Sequence, residues 1–244
     1  KTPIMEVSVS TAEMIKYASN SFLALKISYI NEIANLCEAV GADVHDVALG
    51  MGKDGRISSK FLHPGPGFGG SCFPKDIEAL KALGDDKDIK LNMISATIKT
   101  NKSQKERIFK KLLKLVDDKV EGKKIAVLGL SFKPNTDDIR ESPSEFIVSH
   151  LLNKKAIISA YDPAASENFK DIFPDINYFQ NWRDCVKGVD ACIVMTEWNE
   201  FRGIDLAELK SLIKSPNLFD AKNIFSIDKL KSLEFNYDNI GRNF

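Results

Sequence analysis

Cysteine and histidine are scarce, at four and three in 244 residues. Cys37, Cys72, Cys185 and Cys192 form no C-x-x-C pair. His45, His63 and His150 have neither H-x-H nor H-E-x-x-H spacing, which argues against a zinc site. So few thiols in so long a chain also do not suit a disulfide framework. No apolar run approaches the roughly 20 residues that span a bilayer, and no secretory leader opens the chain. The expectation is therefore a soluble, cytoplasmic protein. Net charge is absent too: Lys+Arg and Asp+Glu each number 34, so no bulk field draws nucleic acid or an anionic membrane. In the Lys-rich stretch 102–119 acids interleave with bases, as on a solvated helix face. An initiator Met is missing from the opening Lys1-Thr2-Pro3, and the expectation is a portion of a longer protein. What is present is ordinary globular composition, 43% hydrophobic and 28% charged, at a length that can form two cores.

The first half reads as helix. Ser10-Thr11-Ala12-Glu13 has the form of a capping box. Ala18, Phe22, Leu25, Tyr29, Ile33, Leu36 and Val40 recur at three- and four-residue steps, which predicts a helix over 10–40 with that stripe as its apolar face. Gly41 is the natural stop. A short helix is expected over 43–51. The next 20 residues, 52–71, are rich in Gly and Pro without periodicity, a length at which loops are usually functional or disordered. Helices follow over 72–83, with Pro74 in the first turn, and over 89–116, before a charged hinge at 117–122. Then short apolar strands at 124–129, 156–161 and 191–196, with weaker ones near 176–179, 217–219 and 235–237, alternate with helices at 142–152, 182–186 and 205–213. Ser142-Pro143-Ser144-Glu145 opens the first of those helices as a capping box. Such alternation predicts a parallel, doubly wound sheet. The chain thus divides into an all-helical part, 1–118, and an α/β part, 119–244.

The densest chemical signal is the run from Pro64 to Asp76. Gly65, Gly67, Gly69 and Gly70 let the backbone come close to a ligand. Cys72 stands at a helix N-terminus, where free N–H groups favour a thiolate. Asp76 lies one turn further on the same face, so a covalent nucleophile has a carboxylate nearby for protons. The alternative is a tight turn closed by a buried thiol. Lys16 and Asn20 share a helix face and together can stabilise an oxyanion, although such a pair is more often simply solvated. After the first strand, Gly129–Arg140 occupies the place of a Rossmann phosphate loop, but the G-x-G-x-x-G pattern is missing. Lys133 and Arg140 are cationic candidates there for phosphate or carboxylate. Asp162 is placed like a ribose-binding acid, but Asp162-Pro163 is a common turn and that reading is favoured. His63 reads as a loop residue, Cys185 and Cys192 as core, and Trp182 and Trp198 as packing.

Gly67-Phe-Gly-Gly-Ser-Cys72-Phe-Pro-Lys-Asp76, with Lys16-Tyr-Ala-Ser-Asn20 upstream and Gly129-Leu-Ser-Phe-Lys133-Pro downstream, resembles the UDP-glucose 6-dehydrogenase family. That family belongs to the wider UDP-glucose/GDP-mannose dehydrogenase group, and the resemblance runs over nearly the whole chain. Phe-Pro-Lys-Asp after the cysteine favours the UDP-glucose branch. The resemblance implies oxidation of UDP-glucose to UDP-glucuronate in two NAD-dependent hydride transfers. It implies that Cys72 captures the aldehyde as a thiohemiacetal and then carries a thioester. Lys16 and Asn20 match oxyanion-stabilising and substrate-binding residues, and Asp76 matches a partner for proton handling or water positioning. Phe61, Leu62, Gly69 and Phe73 match the lining of the sugar site, and Lys133 a substrate-binding lysine. Lys75 and Arg140 match residues on the NAD side. Arg56 matches an arginine that reaches the neighbouring subunit's site, so a homodimer is implied. Where many members have Asp-Gly-Arg-Asn, this chain has Asp220-Ala-Lys-Asn223, so Lys222 keeps the charge without the bidentate fork.

The implied architecture is an all-helical dimerisation domain followed by a Rossmann-like UDP-sugar-binding domain. The family's N-terminal NAD-binding domain, with its glycine loop, has no counterpart in these residues. The chain alone is therefore expected to be inactive. The alternatives are a nucleotide-sugar-binding and dimerisation module without catalysis, or a GDP-mannose or UDP-N-acetylmannosamine dehydrogenase.

Overall fold

The computed structural model describes residues 4–243. Four helices come first: α1 (Val9–Val40), α2 (Val44–Gly52), α3 (Phe73–Asp86) and α4 (Asn92–Leu115). Ser8, not Ser10, caps α1, its Oγ accepting from Thr11 N; Ser10 already lies inside the first turn. Gly41 ends the helix in the left-handed region, φ 77°, with its N–H on Cys37 O.

The face that α1 buries is not the expected stripe. Ser21, Ala24, Ser28, Asn31, Ala34 and Cys37 are buried with Ile30, and their small side chains let α3 and α4 approach closely. Phe22 is 61% exposed and Leu36 57%, with Tyr29 and Val40 also exposed, while Leu25 and Ile33 are half-buried. Periodicity reports that an apolar face exists; it does not say which surface covers it.

The second part holds β1 (Lys124–Leu128), α5 (Pro143–Asn153), β2 (Ile157–Tyr161), α6 (Ser166–Lys170), β3 (Asn177–Tyr178) and α7 (Trp182–Val186). It continues with β4 (Ala191–Val194), α8 (Asn199–Arg202), α9 (Leu206–Leu212), β5 (Asn217–Asp220), α10 (Ile227–Ser232) and β6 (Asn236–Asp238). The strands pair in parallel in the order β3-β2-β1-β4-β5-β6. This is the doubly wound order, with its switch point between β1 and β4. β1 and β4 are buried on both faces, which is why they read as unbroken apolar runs. The short helices α6, α8 and α10, of four to six residues, are too brief to show a period and are absent from the sequence-based expectation.

One core cluster runs from the helices into the sheet, joining Ile30, Ala34 and Leu112 to Val127, Ile193 and Phe219. A second fills the opposite sheet face with Trp182, Leu209, Leu218 and Phe235. Charge reinforces the first junction. Lys111 Nζ lies 2.6 Å from Glu38 Oε1 and 3.0 Å from Asp238 Oδ1, and also donates to Asn239 O. Gly241 rests directly on α1: a Cβ there would stand 2.6 Å from Ala34 Cβ. The carboxyl ends of β1, β4 and β5 are thereby set against the loop between α2 and α3. Among the described residues no helix is long and apolar enough to cross a membrane.

Candidate active site

Buried amides on two helices hold the Gly-Pro loop. Asn31 Oδ1 accepts from Gly65 N at 2.8 Å, and Gln104 Nε2 donates to Gly65 O at 3.0 Å. Asn101 grips Phe68 at both backbone groups, accepting its N–H at 2.8 Å and donating to its carbonyl at 3.1 Å. Nothing in the sequence signals these three side chains, because polar residues on a helix normally face water. The glycines are also required for a different reason than expected. A Cβ on Gly67 would meet Asn101 Oδ1 at 2.8 Å, one on Gly69 would meet Glu141 O at 2.2 Å, and one on Gly70 would meet the Phe132 ring at 2.8 Å. Protein, not ligand, fills those spaces. Gly70 N then donates to Arg140 O at 2.7 Å, tying the loop to the segment after β1.

Cys72 follows as the N-cap of α3 and is exposed, whereas Cys37, Cys185 and Cys192 are buried. Asp76 is one turn on, its N–H on Cys72 O at 2.9 Å, and is only 1% exposed. Asn20 Nδ2 donates to Asp76 Oδ2 at 2.6 Å. Lys16 Nζ stands 3.9 Å from the same oxygen and Lys75 Nζ 3.8 Å from Oδ1. The shared face of Lys16 and Asn20 is thus directed at one carboxylate beside an exposed thiol. This set can activate a nucleophile and stabilise a developing oxyanion.

A cleft of about 880 Å³ opens between the loop and the sheet edge. Phe61, Gly69, Cys72, Phe73, Lys133 and Lys222 all line it. Phe61 adopts φ 64° and lies 6.1 Å from the Phe73 ring, centroid to centroid. Lys133 Nζ stands 5.2 Å from the centre of the Phe132 ring, a cation–π distance. Lys222 Nζ lies 2.9 Å from Glu197 Oε2. Burial opposes ionisation of Glu197, yet Lys222 holds its carboxyl below the ordinary value. His45, His63, Glu197 and Arg202 also reach the cleft wall, and nothing in their sequence spacing signals it. Burial and then Arg242 push His45 below its ordinary value.

Other expected residues lie elsewhere. The Leu62 side chain is buried in the core. Arg56 is exposed on its loop, its guanidinium on Asp54 at 2.6 Å, outside this chain's own cleft. Arg140 is exposed and held by Asp138 through Nε and an Nη, at 2.9 and 2.8 Å. Asp162 is neither a ribose ligand nor merely a turn residue. It is buried, and one oxygen accepts from Leu130 N, Ser131 N, Ser131 Oγ and Trp198 Nε1. The other accepts from Ala164 N and Ala165 N. A protein carboxylate therefore occupies the anion position of the loop after β1. Among the described residues no group of His, Cys, Asp and Glu is placed to hold a metal ion.

Comparison with known proteins shows the family. The family model described as the UDP-glucose/GDP-mannose dehydrogenase family, central domain, matches residues 10–103. The model for the same family's UDP binding domain matches residues 126–227. A UDP-glucose 6-dehydrogenase of Rhizobium meliloti is 45% identical over 242 residues, covering 99% of this chain and 55% of that protein. The solved structure of a UDP-glucose dehydrogenase from Pyrobaculum islandicum superposes with a TM-score of 0.89 at 31% identity, covering 100% of this chain and 54% of that one. An NDP-N-acetyl-D-galactosaminuronic acid dehydrogenase from Methanosarcina mazei gives 0.85 at 27% identity, over 97% and 52% of the two chains. The chain spans about half the length of the curated relatives it matches. With both family models matched in order over most of its length, and the cysteine loop and sheet edge facing one cleft, the chain belongs to the UDP-glucose/GDP-mannose dehydrogenase family.

Proposed function

We propose that this chain is the catalytic-cysteine and nucleotide-sugar-binding portion of an NAD-dependent UDP-glucose 6-dehydrogenase, with residues 1–118 as the dimerisation domain and 119–244 as the UDP-sugar domain. One observation carries the reading: the exposed Cys72 stands at the N-cap position of α3, one turn from an Asp76 carboxylate that already engages Asn20 and Lys16. The Cys72 thiolate adds to the C6 aldehyde of the sugar, forming a C–S bond and an oxyanion that Lys16 and Asn20 meet. Loss of the C6 hydride turns this thiohemiacetal into a thioester. Water then enters at the carbonyl, the C–S bond breaks, and the thiol and a carboxylate are released, with Asp76 placed to take up a proton. NAD, when bound, would accept the hydride that leaves the C6 alcohol to give the aldehyde and the second hydride that leaves the thiohemiacetal.

The loop after β1 does not fit a dinucleotide pyrophosphate, because Leu130 N and Ser131 N already donate to Asp162. Lys75 and Arg140, exposed cations on the segments that flank Cys72, fit an approach by the cofactor from outside the cleft. Its remaining contacts are assigned to the part of the relatives' length that this chain does not span. The exposed apolar stripe of α1 supports a homodimer, in which Arg56 serves the partner's site.

Alkylation of Cys72, followed by mass spectrometry, tests the reading. UDP-glucose is expected to slow it strongly and GDP-mannose to leave it unchanged. Protection by GDP-mannose alone would move the chain to another branch, and protection by neither would overturn the site. Sustained NADH formation by these 244 residues alone would refute the assignment of the cofactor's contacts elsewhere.

A further inference from the structure

We propose that Glu197 is a positioning residue, whose carboxylate fixes the Lys222 ammonium at the nucleoside end of the cleft. The inference rests on the nucleotide-sugar reading of that cleft. β4 and β5 are neighbours with Val194 opposite Asp220, so the loops bearing Glu197 and Lys222 leave the sheet side by side. Lys222 is held at two points. Its N–H donates to Asp220 Oδ1 at 3.0 Å, and its Nζ lies 2.9 Å from Glu197 Oε2. The second contact is a close ion pair; an ammonium has three N–H donors, so with one turned to Glu197 the other two are left for the cleft that Lys222 lines. Glu197 Oε2 itself is buried and cannot reach a ligand, so that oxygen acts through Lys222.

The geometry of the glycine loop sets the direction. A Cβ on Gly65 would lie 4.0 Å from Lys222 Nζ, while one on Gly70 would strike the Phe132 ring beside Lys133. Lys222 therefore marks one end of the loop, and Lys133 with Cys72 the other. With the sugar C6 at Cys72, the nucleoside falls at Lys222. There Glu197 cancels the ammonium's net charge. A neutral pair with free N–H donors suits the acceptors of ribose and pyrimidine better than a phosphate. A lone lysine in place of an arginine fork has three freely rotating donors, and Glu197 supplies the missing orientation.

The test is UDP affinity by calorimetry in the wild-type chain, Glu197→Gln, Lys222→Met and the double variant. Each single change is expected to weaken UDP about five- to tenfold, and the double variant to be no weaker than Lys222→Met. Losses that multiply, or unchanged affinity in Glu197→Gln, would overturn the proposal. A ligand-free readout separates it from the reading beneath it. Acetylation at Lys222 Nζ by acetic anhydride, followed by mass spectrometry, should rise about fivefold in Glu197→Gln at an unchanged far-UV spectrum. A rise in a chain that binds no UDP would keep the pair and refute the nucleotide-sugar reading; no rise would refute the positioning role. Should Glu197→Gln lose its fold, Glu197→Asp, with its shorter carboxylate, is expected to give the same rise, and no rise there would also overturn the proposal.

Discussion

Asn20 and Asp76 are 56 positions apart and meet through a hydrogen bond of 2.6 Å from Nδ2 to Oδ2. The bond joins α1 to the first turn of α3 and is the shortest contact made by a nearly inaccessible carboxylate. Lys16 and Lys75 are more distant, at 3.9 and 3.8 Å, and solvent screens both. Asn20→Ala removes this close donor and is expected to cost about 1–3 kcal/mol, read from urea unfolding. A loss under about 0.5 kcal/mol would mean that the bond does not hold the two helices together.

The glycines of the loop are not equivalent. Gly69→Ala would drive a methyl into Glu141 O at 2.2 Å, against backbone that the bond from Gly70 N to Arg140 O holds in place. The expected cost is about 3 kcal/mol with loss of UDP binding. Gly55→Ala meets nothing within 4 Å and is expected to stay within about 0.5 kcal/mol of wild type. Equal melting points for the two variants would refute the packing account.

These outcomes show where sequence reading succeeds. The strand at 124–128 is legible because both its faces are buried, and Cys72 is legible because glycines, proline and a cap cluster around it. Asn31, Asn101 and Gln104 are not legible, since their carbonyl and N–H partners come from a loop 33 to 39 positions away. The α1 stripe shows the opposite failure. Its period is real, but the chain's own contacts select the small-residue face instead. Lys222 was found through the motif it departs from, whereas Glu197 has meaning only through the pairing of β4 with β5.

Asp220 gives a pH signature. Burial pushes its carboxyl up to about 6, with the backbone N–H groups of Phe225 and Lys222 working the other way. The folded chain therefore holds this proton more tightly than the unfolded chain does. Its contribution is present below about pH 4 and is lost as pH rises through about 6, a change on the order of 3 kcal/mol. Asp220→Asn cannot titrate. The stability difference between variant and wild type should thus move in the variant's favour by about that amount from pH 4 to pH 7. A difference independent of pH, measured by urea midpoints, would refute the assignment.

Asp162 is expected to behave as a hub. Asp162→Ala strips the acceptor from Leu130 N, Ser131 N, Ala164 N, Ala165 N and Trp198 Nε1, and is expected to cost more than about 3 kcal/mol. Trp198→Phe removes one donor and leaves the carboxylate satisfied, so about 1 kcal/mol is expected. A larger loss in the tryptophan variant than in the aspartate variant would show that ring packing, not the carboxylate, organises the loop after β1.

The α1 stripe makes the last prediction. Phe22, Tyr29 and Leu36 repeat every seven residues and are all exposed, as along a helix that packs against another helix. Phe22→Glu and Leu36→Glu touch no core of the chain itself, so each is expected to leave stability per chain within about 0.5 kcal/mol. If the stripe joins two copies, light scattering over a range of concentrations will report a dimer for wild type and a monomer for the double variant. Arg56 then adds a second consequence, because its exposed guanidinium lies outside its own chain's cleft. The monomeric variant should bind UDP-glucose more weakly, and Arg56→Ala in the dimer should weaken it to the same degree. A wild-type monomer, or a monomeric variant with undiminished affinity, would separate the stripe from the site.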